Sequence, residues 1–325
     1  MHAGRHYSFR EVAAWTRRET TLFVLAAAIP TMLVQWAGWK WLTLPWLPIA
    51  LVGTAVAFIT GFKNSSSYAR LWEARQVWGA ILNSSRHWGM LVLDLPQAHH
   101  ARLVHRHIAW LTALRFQLRE SRSWENMRRK HNEEYARKYH VQEWSGSLGD
   151  ELSRLIGPAE AALTMAKKSR ALHLLNVQAA DLRGLASAGE VSEFRHLEME
   201  RLLAQFLDSQ GKCERIKNFP YPRQFATLNL FFVWLFVLLT PFGLLQEFQK
   251  LGGNYVWVTI PASVIVAWVF HTMDKIGESS ENPFEGGPND VPITALSRTA
   301  EIDLRDMLGE GDLPAPVQPV NNILM

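Results

Sequence analysis

Thr54, Phe58 and Phe62 recur at i, i+4 and i+8, so a helix would carry them on one stripe. Gly53, Ala57 and Gly61 occupy the adjacent stripe. Small residues at every fourth position let helices approach closely in lipid. Such a helix suits a ring of packed copies, with phenylalanines meeting at the axis as a hydrophobic constriction that gates by dewetting. The same spacing serves equally well for a stripe that faces lipid or packs within a single bundle. The long apolar runs hold no internal carboxylate, Lys or Arg, and only His271 lies inside one, near its end. Coupled transporters place ionisable groups near the midplane, so a passive pathway is favoured over a pump.

Other chemistry finds little support. His99, His100, His105 and His107 cluster, but only His100 and His107 share a helical face and no carboxylate sits at ligand spacing. A solvated face is the expectation there. His131-Asn132-Glu133-Glu134 lacks the second His of a zincin. There is no Gly-rich phosphate loop and no nucleophile elbow, so no catalytic residue, metal or cofactor is expected. One cysteine, Cys213, excludes an intrachain disulfide framework and reads as a small packing residue. The net charge is +4, but the basic residues are interleaved with acids, which does not favour a nucleic-acid partner.

The elements that would position these residues follow from the charge pattern. Mean hydropathy over the 325 residues is -0.06, as in a soluble protein. Yet residues 20–39, 41–62, 224–246 and 251–273 contain no Asp, Glu, Lys or Arg. About 20 apolar residues at a rise of about 1.5 Å cover the roughly 30 Å of a bilayer's hydrocarbon. Spans are expected over residues 20–35, 41–62, 225–245 and 255–271, all helical because lipid offers no partner to open backbone groups. Trp36, Trp39, Trp41 and Trp46 read as an aromatic belt between the first two spans. Arg5, Arg10, Arg17 and Arg18 precede span one, and Lys63, Arg70 and Arg75 follow span two. The turns between spans carry only Lys40 and Lys250. Both short turns are therefore expected outside, and both termini in the cytoplasm. A secretory or twin-arginine signal at Arg17-Arg18 fits less well, because the uncharged run continues well past Ala28.

The chain divides into a cytoplasmic N-terminal segment (1–19), spans one and two (20–62), a helical cytoplasmic region (63–223), spans three and four (224–273), a cytoplasmic C-terminal segment (274–312) and a tail (313–325). Val104, Ile108, Leu111 and Leu114 recur at helical spacing within the cytoplasmic region, as do Leu203, Phe206 and Leu207. Residues 123–140 are very polar and read as an exposed helix or excursion.

Three stretches go beyond pattern. Gly61-Phe62-Lys63-Asn64-Ser65-Ser66-Ser67-Tyr68, then Arg70, Trp72-Glu73-Ala74-Arg75 and Trp78-Gly79, resembles the signature after the second span of the bestrophin family, in its bacterial branch. Cys213-Glu214-Arg215-Ile216 with Pro220 and Pro222 resembles that family's approach to its third span. Ile276-Gly277-Glu278, Glu281-Asn282-Pro283-Phe284, Asn289-Asp290 and Pro292 resemble the segment after its fourth. The resemblance implies an all-α membrane protein with four transmembrane helices per subunit, assembled as a homopentamer around a central pore. It implies passage of small monovalent ions across the inner membrane, through a neck at Thr54, Phe58 and Phe62. It also implies a second, cytoplasmic constriction, which ungapped counting from Cys213 places at Leu197.

The departures sit at Ala69, Leu71 and Phe219, where the family usually has an acid, Trp and Thr. Animal members bind calcium with a run of acids after Asn-Pro-Phe. Here Glu285-Gly286-Gly287-Pro288-Asn289-Asp290 supplies one Glu and one Asp, so no calcium activation is expected. Animal members conduct chloride, whereas bacterial members include cation-selective channels, and the neck residues here carry no charge. Lys63 would favour anions if it faced the axis; a headgroup anchor on the inner side is the favoured reading. A membrane-anchored helical scaffold without a pore is the rival from another class.

Overall fold

A computed structural model describes residues 1–127 and 129–325, without the side chains of Lys130 and His131. The described residues form helices joined by short loops, with isolated bridges in place of strands. The helices are α1 (Phe9–Ala37), α2 (Trp46–Leu93), α3 (His100–Arg119), α4 (Lys130–Ala136), α5 (Gln142–Ser145), α6 (Leu148–Met165), α7 (Arg170–Ser187), α8 (Glu193–Asn218), α9 (Arg223–Lys250), α10 (Thr259–Ser279) and α11 (Ile293–Met307). They fall into two compact units. The apolar unit is Gly4–Ala69 with Pro220–Glu281, and the charged unit is Met1–Ala3, Arg70–Phe219 and Asn282–Met325.

The apolar unit holds α1, the first half of α2, α9 and α10. Among the described residues, four helical segments are long and apolar enough to cross a membrane, and they coincide with the four charge-free windows. The helices outrun the windows. α1 starts at Phe9, where Ser8 and Glu11 form a reciprocal capping box, and it ends at Gly38 in the left-handed conformation, φ 69°. α2 starts at Trp46 rather than Trp41, after a short 3-10 turn at Lys40–Leu42. Pro48 then falls in the first turn, where its missing N–H removes no intrahelical bond.

Phe23, Ile49, Val56, Val233, Phe236, Val237 and Ala267 form the unit's core. α2 meets α9 closely at Gly53, where a Cβ would stand 2.5 Å from Phe236 Cε2. It does so again where Trp46 and Ile49 lie against Gly243. Of the small stripe, only Gly53 serves this contact; Ala57 and Gly61 are exposed. Trp36, Trp39 and Trp41 are exposed as a belt would require, while Trp46 packs inward.

The charged unit builds one large core around Trp78, Ile81, Trp88, Leu111, Leu114 and Phe206. Leu71 belongs to this core, at the position where the family's usual Trp is absent. α6 is kinked at Gly157, whose φ of 77° needs a glycine, followed directly by Pro158. Two expectations give way here. Residues 313–325 dock instead of trailing: Ile323 and Met325 are buried with Tyr139 and Val141, and Ala295 N–H donates to the Met325 carbonyl at 2.7 Å. The polar stretch 123–140 buries Glu125, Asn126 and Tyr139, so it is no simple excursion. Arg128 and the His131 side chain, part of the zincin-like string, lie outside the described residues.

Because the Phe236 ring is itself enclosed, Gly53→Ala forces a shift at the α2–α9 contact. A loss of about 1–3 kcal/mol is expected, read as a lowered Tm of the purified protein; an unchanged Tm would show that the helices do not meet at Gly53.

Candidate functional site: the exposed stripe of α2 and its buried anchor

On α2, Thr54, Phe58 and Phe62 all face outward from the apolar unit. Phe58 is 78% exposed and Phe62 60%. The Thr54 hydroxyl donates to the Ala50 carbonyl at 3.0 Å, so its polar atom is satisfied within its own helix. The stripe is thus not a packing stripe within the chain's own bundle. Leu197, 49% exposed, lies near the start of α8, one turn after the more exposed Phe194.

The opposite face of α2 is fixed by polar chemistry that sequence reasoning missed. Lys63 is not a headgroup anchor and does not face outward. It is 4% exposed, and its Nζ donates to Asp274 Oδ1 of α10 at 2.6 Å. Asn229 Nδ2 of α9 donates to the same oxygen at 2.7 Å, and the Thr60 hydroxyl donates to Asn229 Oδ1 at 3.0 Å. An unpaired ammonium in an apolar bundle is costly, whereas a paired and hydrogen-bonded one persists. A second pair joins α1 to α10: Lys275 Nζ lies 3.0 Å from Glu19 Oε1 and 4.6 Å from the Trp15 ring centroid. His271 sits beside it, between the Phe23 and Trp234 rings. One signal was present in the sequence. Lys63 and Asp274 each stand one residue beyond a charge-free window, and they carry opposite signs.

The charged unit answers the remaining expectations. Asp290 Oδ2 is 3.1 Å from Arg119 Nη1 and accepts Gly286 N–H at 2.7 Å. Glu285 accepts from Asn126 N–H at 2.8 Å, and Glu125 pairs with Lys217. Burial, and then the neighbouring Asp290, hold the Glu285 carboxyl well above the usual carboxylate range. Among the described residues no group of three His, Cys, Asp or Glu is placed to hold a metal ion. Cys213 is buried, and burial pushes its thiol up, as for an inert packing residue. The histidines do not form one solvated face. His99 and His105 meet Glu190 and Glu310 at 2.5 and 2.6 Å. His107 is enclosed by Phe206, Trp110 and Trp88 and bonded to Ser85 Oγ at 2.9 Å.

Four apolar helices, tied together by buried ion pairs and carrying exposed apolar side chains, define an all-helical membrane protein. Residues 13–306 match the family model described as bacterial/fungal bestrophin protein, and the chain belongs to that family. A relative from Ralstonia nicotianae, named a voltage-dependent anion channel-forming protein, is 28% identical over 271 residues, covering 82% of this chain and 78% of the relative. One of the same description from Escherichia coli K12 is 26% identical over 274 residues, covering 84% and 80%. The crystal structure of a bacterial bestrophin homologue from Klebsiella pneumoniae matches with a TM-score of 0.77 at 26% identity, covering 91% of this chain and 99% of that one. These relatives are named as channels, not as enzymes.

Burial lowers the His107 pKa to about 3, from an ordinary 6.5. Between those values the unfolded chain binds a proton that the folded chain refuses, so stability falls as pH falls through that window. From pH 7 to pH 5 this residue costs about 2 kcal/mol. The Tm of the purified protein should fall more over that interval than the Tm of His107→Gln, and equal falls would place the ring in water.

Proposed function

We propose that the chain forms an ion channel, a homopentamer in which α2 of each subunit lines a hydrophobic neck. The observation that carries this is the outward face of α2. Two phenylalanines stand uncovered on one stripe of a helix whose other face is tied into the bundle. Large apolar side chains left bare in one copy call for lipid, another copy or a pore axis. Ala57 and Gly61, small and exposed beside them, suit close approach of a neighbouring copy. The names of the relatives support ion conduction, and anions in particular.

In this reading Thr54, Phe58 and Phe62 form a constriction that passes small monovalent ions without coupling to a pump cycle. Leu197 forms a second one in the cytoplasmic region. The protein sits in the bacterial inner membrane with both termini in the cytoplasm, since the arginines ahead of the charge-free run of α1 and the bases after the neck mark the inner side. With the neck uncharged, selectivity comes from how the rings present their edges and faces.

Replacing Phe58 and Phe62 together by Ala widens the neck, so single-channel conductance in planar bilayers should rise about two-fold or more. An unchanged current in the double variant counts against the neck. Reversal potentials under an NaCl gradient give the sign of the permeant ion. Purified particles of fivefold symmetry fit the channel, whereas a monomer would favour a scaffold without a pore.

A further inference from the structure

We propose that Lys63 is a positioning residue for the neck, its buried pair with Asp274 fixing the rotation of α2 that turns Phe62 outward. The inference rests on the neck reading above and names what holds that gate in place.

A helix turns about 100° per residue, so residues two before and two after Phe62 lie nearly opposite it. Those residues are Thr60 and Asn64, and both are tethered. The Thr60 hydroxyl donates to Asn229 of α9, and Asn64 Nδ2 donates to the Met273 carbonyl of α10 at 2.9 Å. Asn64 also lies against Gly277, where a Cβ would stand 2.0 Å from its Oδ1 and block the approach. Lys63, between them, supplies the charge. Asp274 Oδ1 takes both the Lys63 ammonium and the Asn229 amide, which closes a loop of hydrogen bonds over three helices.

That loop leaves α2 little rotational freedom. A one-step turn of α2 that brings Lys63 to where Phe62 stands would leave the Asp274 carboxylate buried without its cation, and a turn the other way would carry Thr60 and Asn64 off their partners. The apolar contacts alone permit such a slip more readily, since packing is less directional than a bonded charge pair. The wild-type arrangement is therefore one in which Lys63 is paired and Phe62 is outward, both together.

Cys213 is the single native cysteine and is buried, so a cysteine placed at position 62 reports alone. The experiment measures how fast a membrane-impermeant methanethiosulfonate reagent changes the current of Phe62→Cys channels in bilayers. Labelling of Phe62→Cys that leaves the current unchanged would refute the neck itself, apart from any role of Lys63. Given a response, adding Asp274→Asn or Lys63→Gln should slow it about ten-fold. Lys63→Arg should keep it within about two-fold, and the exchange of Lys63→Asp with Asp274→Lys should restore most of the rate. Size-exclusion profiles check that each variant assembles. Asn229→Ala removes two hydrogen bonds and no charge; if the neutralised variants do not assemble, it carries the test, with an expected slowing of about three-fold. Rates within two-fold of the parent in the variants that assemble, or an exchange that stays as slow as the neutralised forms, would overturn the proposal.

Discussion

An ammonium group enclosed by apolar helices must find a counter-charge in reach, and Lys63 finds one in Asp274. Much of the apolar unit follows from that requirement. The pair joins α2 to α10, and Asn229 brings α9 to the same carboxylate. One residue on in sequence, and so about 100° round α10, Lys275 repeats the solution with Glu19 of α1. α10 thus offers a carboxylate to one neighbour and an ammonium to another. Apolar side chains give the bundle its association and, at Gly53, part of its fit. The charges sharpen the rotation of the helices that carry them, because a rotation that parts a pair leaves a charge buried alone.

The consequence is a helix with two faces of different chemistry. Gly53, Val56, Thr60 and Lys63 look into the bundle, while Thr54, Phe58 and Phe62 look away from it. Glycine at position 53 lets the Phe236 ring come against the backbone, and a larger residue would push the two helices apart. The inward face is therefore matched both in shape and in charge. The outward face is matched to nothing in its own chain, as the proposed lining surface would be.

The four charge-free windows made the apolar unit legible, since in lipid an uncharged run of that length has few alternatives to a helix. The stripe of Thr54, Phe58 and Phe62 was legible from period alone, and the motif around Lys63 pointed to the family. The role of Lys63 was not. A positive residue at the end of a span ordinarily anchors at the headgroups, and local sequence cannot show that a carboxylate 211 residues away will reach it. The same limit hid His107, whose aromatic enclosure draws on Trp88 and Phe206 from other helices. It also hid the docking of Met325, because a Pro-rich end with few charges reads as unstructured until its partners Tyr139 and Val141 are placed. Local period fixes elements and faces; pairings between distant segments depend on the fold.

The burial of Lys63 also bears on how charge is selected. A lysine next to Phe62 that faced outward would give a ring of copies a ring of positive charge at one end of the neck. With its charge neutralised by Asp274, the stripe presents only a hydroxyl already bonded to its own helix and two aromatic rings. An ion in such a neck would lose water and gain no counter-ion, so both signs would face a desolvation barrier. Discrimination then rests on weak terms, the positive edge or the negative face of each phenylalanine. Those terms depend on ring orientation, and ring orientation depends on the rotation of α2. If α2 lines a neck as proposed, the buried pair would bear on selectivity as well as shape: it withdraws the Lys63 charge from the stripe and would set the angle at which the weak ones are presented.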